Sequence, residues 1–495
     1  MRRPLAITAA LLAAASAAHA LEVGLHKYAP RGRIRAARTA DADGDGRKDL
    51  VLLVENPPGD GPATTDLVVL RAPKEPDAKA WFRAADEIRI PCDGPAAGVR
   101  ARAGAIAVGR FGPKGATRLR FLGPDGAWDL DPMAPSAEPA PAGGPTLFAR
   151  SPGVGPVFWD GVADLDGDGR DESWWPSASG RLEVPGLSLS VNDEAGGTST
   201  VLFSRRSWIP VLVAADMDGD GTRELVRLEG TALVVERPAR GGAAATTTRI
   251  ELPFLAPEPD RPPEELRTPR LSLADVDGDR VTDLLVTVVQ GRADKVGGLR
   301  TALYHVPGPI LDPATGAVRP ARGRIDTESV ALHPAFVDVD GDGARDYVAD
   351  SIRGTTLDLV RRVMGAEPEI TFTAFRFDRA AGTFERSPFT TVVRPYSSAQ
   401  ARGNTFGRSG FFEGDFDGDG ARDLLDLGNL TGLSVWRGGG AEGAFSQPLV
   451  RPVPIDKDRA LAPDAILDDL NADGRTDAAV WSDDALYLVV SKGAR

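Results

Sequence analysis

One nine-residue pattern recurs along this chain and leaves few folds open to it. It reads DADGDGRKD at 41–49, DLDGDGRDE at 164–172, DMDGDGTRE at 216–224 and DVDGDRVTD at 275–283. It returns as DVDGDGARD at 338–346, DFDGDGARD at 415–423 and DLNADGRTD at 469–477. Such self-similarity marks a repeat architecture, in which one supersecondary unit is copied and stacked. Short apolar runs bracket the copies, such as Val211-Leu212-Val213-Ala214-Ala215 before one and Leu284-Leu285-Val286-Thr287-Val288-Val289 after another. Runs of that length, rich in β-branched residues and bounded by turn residues, predict strands that the acidic loop joins as an antiparallel pair. Further strands are expected after the loop, as at 231–235 and 247–252. Four strands per repeat make one blade of an all-β propeller.

The residue types at each loop position define its chemistry. Position 1 is Asp41, Asp164, Asp216, Asp275, Asp338, Asp415 or Asp469. Position 3 is Asp43, Asp166, Asp218, Asp277, Asp340, Asp417 or Asn471, and position 5 is Asp45, Asp168, Asp220, Asp279, Asp342, Asp419 or Asp473. Position 9 is Asp49, Glu172, Glu224, Asp283, Asp346, Asp423 or Asp477. Position 7 varies without common chemistry (Arg47, Arg170, Thr222, Val281, Ala344, Ala421, Arg475), as expected where the ligand is the backbone carbonyl. Hard oxygen donors at 1, 3 and 5, a carbonyl at 7 and a later carboxylate suit calcium. Magnesium demands a tighter octahedron and keeps its waters. Zinc calls for His or Cys, which these loops lack. Gly at positions 4 and 6 lets the chain curl at positive φ, although Arg280 and Ala472 depart from this rule. The competing reading is a set of metal-free Asp-Gly turns. Four carboxylates in nine residues repel one another unless a cation compensates them. About seven calcium ions are therefore expected, one for each of the seven loops.

A unit of the form Φ-Φ-x-x-D-x-D-G-D-G-x-x-D-Φ-Φ, running through nearly the whole chain, resembles the FG-GAP or VCBS repeat. The same unit builds the propeller of integrin α subunits. The resemblance implies a β-propeller with calcium in a hairpin loop of each blade. It implies far less about activity, since such propellers serve adhesion receptors, lectins and lyases.

Loop starts at 41 and 164 lie too far apart for adjacent repeats, which predicts a degenerate copy between them. Residues 110–118 fit: the apolar flanks and Gly115 remain, while the ligand positions have become Arg110, Gly112, Lys114 and Arg118. This repeat is expected to hold no ion, its basic side chains partly replacing the missing charge. Eight four-stranded antiparallel blades result, with seven as the alternative. The last repeat ends one strand short, so Leu21 to Tyr28 is expected to complete it beside the strand around Leu486 to Val490 and close the ring.

The opening Arg2-Arg3-Pro4, the uncharged run from Leu5 to His19 and the small-x-small end at Ala18-His19-Ala20 predict a signal peptide over 1–20. That run is too short and too alanine-rich to span a bilayer. An exported protein, periplasmic or extracellular, without a transmembrane segment after cleavage, is expected over 21–495. Loss of Arg2 and Arg3 takes the net charge from −13 to −15, and seven calcium ions would nearly cancel it. The acidity is then a metal quota and calls for no basic partner. Nucleic acid is disfavoured because no basic stripe appears.

Cys92 is the only cysteine, so no internal disulfide forms, and it reads as structural. After export only His26, His305 and His333 remain, dispersed and without zinc-ligand spacing. The stretches 131–145 and 254–264 read as Pro-rich surface loops. The functional expectation is a monomeric, non-catalytic scaffold that binds a protein or polysaccharide in adhesion. The alternatives are a polysaccharide lyase or a lectin on the same propeller, with Trp174, Trp175 or Trp436 stacking on sugar. Core packing is the expected use of each of these tryptophans.

Overall fold

The computed structural model describes residues 21–492 except 59–61, 75–80, 82–85, 94, 151–153, 177–180, 185–188, 193–200, 204–206, 211, 238–244, 257–264, 293–297, 312–317, 328, 353–368, 396–407, 409, 428–431, 440–442, 455–460 and 462–463. The expected signal peptide at 1–20 lies outside the described residues. Among the described residues no helix is long and apolar enough to cross a membrane.

The chain forms an all-β propeller in which each blade is an antiparallel meander. The first blade, with strands Arg33–Ala40, Asp49–Asn56, Thr64–Leu70 and Glu87–Pro91, shows the plan. The acidic loop joins the first strand to the second, as the flanking patterns predict. The second strand is buried over most of its length, as in Asp49–Asn56 and Asp283–Gly291. Both of its faces are covered by neighbouring blades, which accounts for continuous apolar runs in place of strict alternation. The Pro-rich stretch at 131–145 is more than a surface loop. Its residues Ala140–Gly143 form the outer strand of the second blade against Gly126–Leu130.

Among the described residues seven four-stranded antiparallel blades are present, which corrects the count of eight to the seven-blade alternative. The repeat carrying the 164–172 loop does not form a blade of its own. Its strands split into a pair, Val162–Ala163 with Glu172–Ser173, and a separate three-stranded sheet starting at Trp175–Pro176. The strand is interrupted at Trp174, although its backbone N–H still reaches the Gly161 carbonyl at 3.1 Å, in register with the Val162–Ser173 pair. Pro176 then brings no N–H to a ladder. The segment before the loop, Val157–Trp159, pairs in parallel with Ala105–Gly109 of the second blade.

Packing explains the outcome. Among the described residues seven apolar clusters lie between neighbouring sheets round the ring. In one of them Trp159, Leu165, Trp174 and Trp175 of the split repeat pack with Leu122 of the second blade and Leu225 of the next. The bulky residues of the split repeat thus fill a single inter-blade core.

Ring closure follows the expectation. Glu22–Tyr28 pairs antiparallel with Leu486–Lys492, from Glu22 opposite Lys492 to Tyr28 opposite Leu486. The closing blade therefore takes three strands from the C-terminal end of the chain and one from the segment following residue 20.

Candidate metal centres

Each loop is built by hydrogen bonds to its own carboxylates. The position 1 carboxylate accepts the backbone N–H groups of positions 4 and 6, as Asp41 does from Gly44 at 2.8 Å and Gly46 at 2.9 Å. Asp164, Asp216, Asp338 and Asp415 repeat the pattern. The position 5 carboxylate accepts from the N–H of position 7, for instance Asp342 from Ala344 at 2.7 Å. The glycines at positions 4 and 6 have φ between 74° and 94°, a region that other residues enter at a cost. Arg280 at φ 71° and Ala472 at φ 58° enter it without glycine's freedom, which costs each about 1 kcal/mol. In the 469–477 loop Asp469 accepts from Asp473 and Gly474, and Asn471 Nδ2 donates to Asp473 at 3.0 Å.

Position 9 does a different job. Asp423 accepts from Phe416 N–H at 2.8 Å through one oxygen and from Gly438 N–H at 2.7 Å through the other. Asp49, Asp283, Asp346 and Asp477 likewise tie position 2 of their own loop to a residue near or just beyond the end of the third strand. The buried carboxylate staples the loop onto the blade, and it retains lone pairs that a cation can use.

Oxygens from these positions converge. Three carboxylate oxygens lie within 4.8 Å of one another in Asp41/Asp43/Asp45, Asp164/Asp166/Glu172, Asp216/Asp218/Glu224, Asp275/Asp277/Asp279 and Asp338/Asp340/Asp346. Such clusters can hold metal ions, and an all-oxygen donor set is that of a hard divalent cation. Cation-free loops are less bare than charge counting implies, however. Backbone N–H groups and arginines such as Arg47 on Asp45 supply part of the compensation.

Burial dominates the protonation behaviour of six position 9 carboxyls. It pushes Asp49 up to about 6, and Glu172, Glu224, Asp346, Asp423 and Asp477 up to about 7, against the backbone N–H bonds that favour the charged form. A carboxyl whose folded pKa is raised stabilises the fold in its protonated form. That contribution is full below the unfolded pKa of about 4 and is lost as pH rises through the folded value. The Tm of the metal-free protein is therefore expected to fall between about pH 4 and pH 7, and bound cation to remove most of that fall. Melting curves with and without calcium across this range check the sign. A metal-free Tm that climbs with pH contradicts the burial account.

Successive loops are also wired to one another. At position 8, Asp171, Arg223, Thr282, Arg345, Arg422 and Thr476 donate their backbone N–H to a carbonyl at position 1 or 2 of the preceding loop, at 2.7–3.2 Å. The acceptors are Arg110, Leu165, Asp216, Val276, Asp338 and Asp415. At the ring junction a side-chain bond stands in, Thr39 Oγ1 to Asp468 Oδ2 at 2.9 Å. The degenerate 110–118 loop takes part in this chain. Arg110 reaches its neighbour, with Nη2 2.9 Å from Asp171 and 3.7 Å from Asp164. Arg118 pairs with Asp131 at 3.1 Å. Those basic groups thus serve adjacent acids.

The other singled-out residues are placed as follows. Cys92 is fully buried and its thiol is pushed up to about 12 by burial, which suits packing and not nucleophilic attack. Trp174 and Trp175 are core residues. Trp436 is half-buried, with the Arg394 guanidinium 3.8 Å from its ring centroid. His305 is buried, its Nε2 3.7 Å from Asp283. A His–Asp pairing that the sequence did not reveal joins His333 Nδ1 to the buried Asp350 at 2.9 Å. These residues sit 17 positions apart on separate segments, a spacing that carries no motif.

No family model matches the chain. No curated protein matches it either. Among solved structures it is similar to the V. cholerae biofilm matrix protein Bap1, at 12% identity and a TM-score of 0.39 over 95% of this chain and 91% of that one. It is also similar to the exotype rhamnogalacturonan lyase YesX, at 16% identity and a TM-score of 0.28 over 52% of this chain and 48% of that one. Likeness at these scores says nothing about function, which is read from the residues above.

Proposed function

We propose that this chain is an exported calcium-binding propeller of FG-GAP or VCBS type, acting as a non-catalytic scaffold that binds a polysaccharide or protein outside the cytoplasm. The carrying observation is the recurrence of one preorganised all-oxygen loop on successive hairpins, wired into a chain by backbone hydrogen bonds. Such a chain of loops makes one side of the ring a stiff platform once cations neutralise it. Calcium enters through positions 1, 3, 5 and 9 with the position 7 carbonyl, and proteins exposed to millimolar calcium outside the cell can use such sites.

A cleft of about 980 Å³ supports a polysaccharide as the ligand. Trp128 and Pro141 line it beside Arg89 and Arg100. An aromatic face suits a sugar ring, and guanidinium groups suit its carboxylates. The same cleft is compatible with the lyase and lectin alternatives.

A polysaccharide and protein array probed with the calcium-loaded chain, and read for unsaturated sugar products, tests the proposal. Binding without products, reduced at least tenfold by Trp128→Ala, is the expected result. New unsaturated products would move the assignment to the lyase, and retention of nothing would sink the scaffold reading.

A further inference from the structure

A recurring arginine stands where the third strand of a blade ends. Arg237 closes the strand Ala232–Arg237, Arg376 follows Glu369–Phe375, and Arg437 follows Gly432–Trp436. Arg376 and Arg437 immediately precede the residues whose N–H groups staple position 9, Phe377 and Gly438. That location aims each guanidinium at its own loop. Arg237 Nη2 lies 3.3 Å from Asp218 and its Nε 3.6 Å from Glu224. Arg376 Nε lies 2.6 Å from Asp340. Arg437 reaches Asp417 at 3.2 Å and Asp419 at 2.8 Å. The acids contacted are at positions 3, 5 and 9, the carboxylates assigned to the ion. In the fourth and closing blades the equivalent residues, Pro307 and Val490, carry no charge.

We propose that Arg237, Arg376 and Arg437 are displaceable counter-ions that hold the ligand carboxylates of loops 216–224, 338–346 and 415–423 when no calcium is bound, so that these loops bind calcium more weakly than the 275–283 loop, which has Pro307 at this place. The inference rests on the calcium reading above and deepens it. A guanidinium on a carboxylate oxygen occupies lone pairs that the ion needs, and its positive charge opposes a divalent cation. The same contact relieves repulsion among the carboxylates when the ion is absent. One residue then acts in opposite directions on the two states. The ring would load in stages, the 275–283 loop ahead of the three arginine-held loops, and it would keep its shape at low calcium.

Calcium titration calorimetry and melting curves on the metal-free full chain, with Arg376→Gln and Arg437→Gln each compared with wild type, test this. Each variant is expected to tighten one calcium site by about tenfold, the effect of removing one adjacent charge, and to melt at a lower temperature than wild type without calcium. Arg376→Lys, which keeps the charge, is expected to leave the affinity near the wild-type value. Because Arg376 also stacks on Phe389, Arg437→Gln and Arg237→Gln serve as independent replicates should Arg376→Gln misfold. Unchanged or weaker calcium binding in these variants, or an unchanged metal-free Tm, overturns the proposal. A wild-type chain that takes up no calcium overturns the calcium reading itself, and the displacement with it.

Discussion

Removing bound calcium is expected to lower the Tm by several degrees or more, and restoring it to recover the loss. Any ion bound by the folded state alone stabilises it by mass action. A single site contributes about 2.7 kcal/mol when free calcium is a hundredfold above its Kd. Loops that share backbone hydrogen bonds with their neighbours spread that gain round the ring. Complete unfolding on chelation is not expected. The loop carboxylates already accept backbone N–H groups in every copy, and arginines sit on several of them. On the calcium reading, that compensation within the chain is expected to keep the fold without replacing a divalent ion. Differential scanning of the chelated and calcium-loaded protein, with metal content measured directly, decides it. Identical curves after verified metal loss would remove calcium from the account.

Deleting residues 21–28 is expected to cost most of the stability of the ring and to cause aggregation. This segment pairs seven residues with Leu486–Lys492. It also buries Tyr28 in the core shared with the first blade, while Leu21 and Val23 pack on the core shared with the sixth. Hydrogen bonds contribute about 0.5–1.5 kcal/mol each, and a buried large side chain about 1.5–3 kcal/mol. The sum rivals the net stability of about 5–15 kcal/mol typical of a folded domain. Deletion would further expose the Leu486–Lys492 strand as an unpaired edge, open to another chain. Truncating 493–495 supplies the control, since it leaves every pair of the closing blade intact. Denaturant melts and light scattering on both proteins make the comparison. Equal, mild effects would mean that the N-terminal strand does not hold the ring shut.

The candidate ion sites were legible because everything they need lies within nine residues. Carboxylates at 1, 3, 5 and 9 and glycines at 4 and 6 form a local motif, and local geometry follows from local residues. Arg280 and Ala472 break the glycine rule, yet each holds the same positive φ as its counterparts. The partners supplied from elsewhere were hidden. Arg376 is 36 positions from Asp340, and His333 is 17 from Asp350. Neither spacing signals contact until strands pair. The stapling role of position 9 was equally hidden, because its partners are backbone N–H groups, which every residue but proline possesses.

Blade number shows the same division more sharply. Copies of the acidic motif count repeats, and a repeat becomes a blade only if its strands find room to form a sheet with both faces covered. In the 164–172 copy the motif is intact, but the strand after it is interrupted at Trp174 and resumes at Trp175–Pro176 in a separate sheet. Sequence alone determined the loops, the hairpins they join and the strand that closes the ring, since each rests on short-range pattern or on the count of strands at the two ends. Tertiary structure alone decided that eight repeats make seven four-stranded blades, because burial is shared between neighbours and no single repeat specifies which of them will take its side chains.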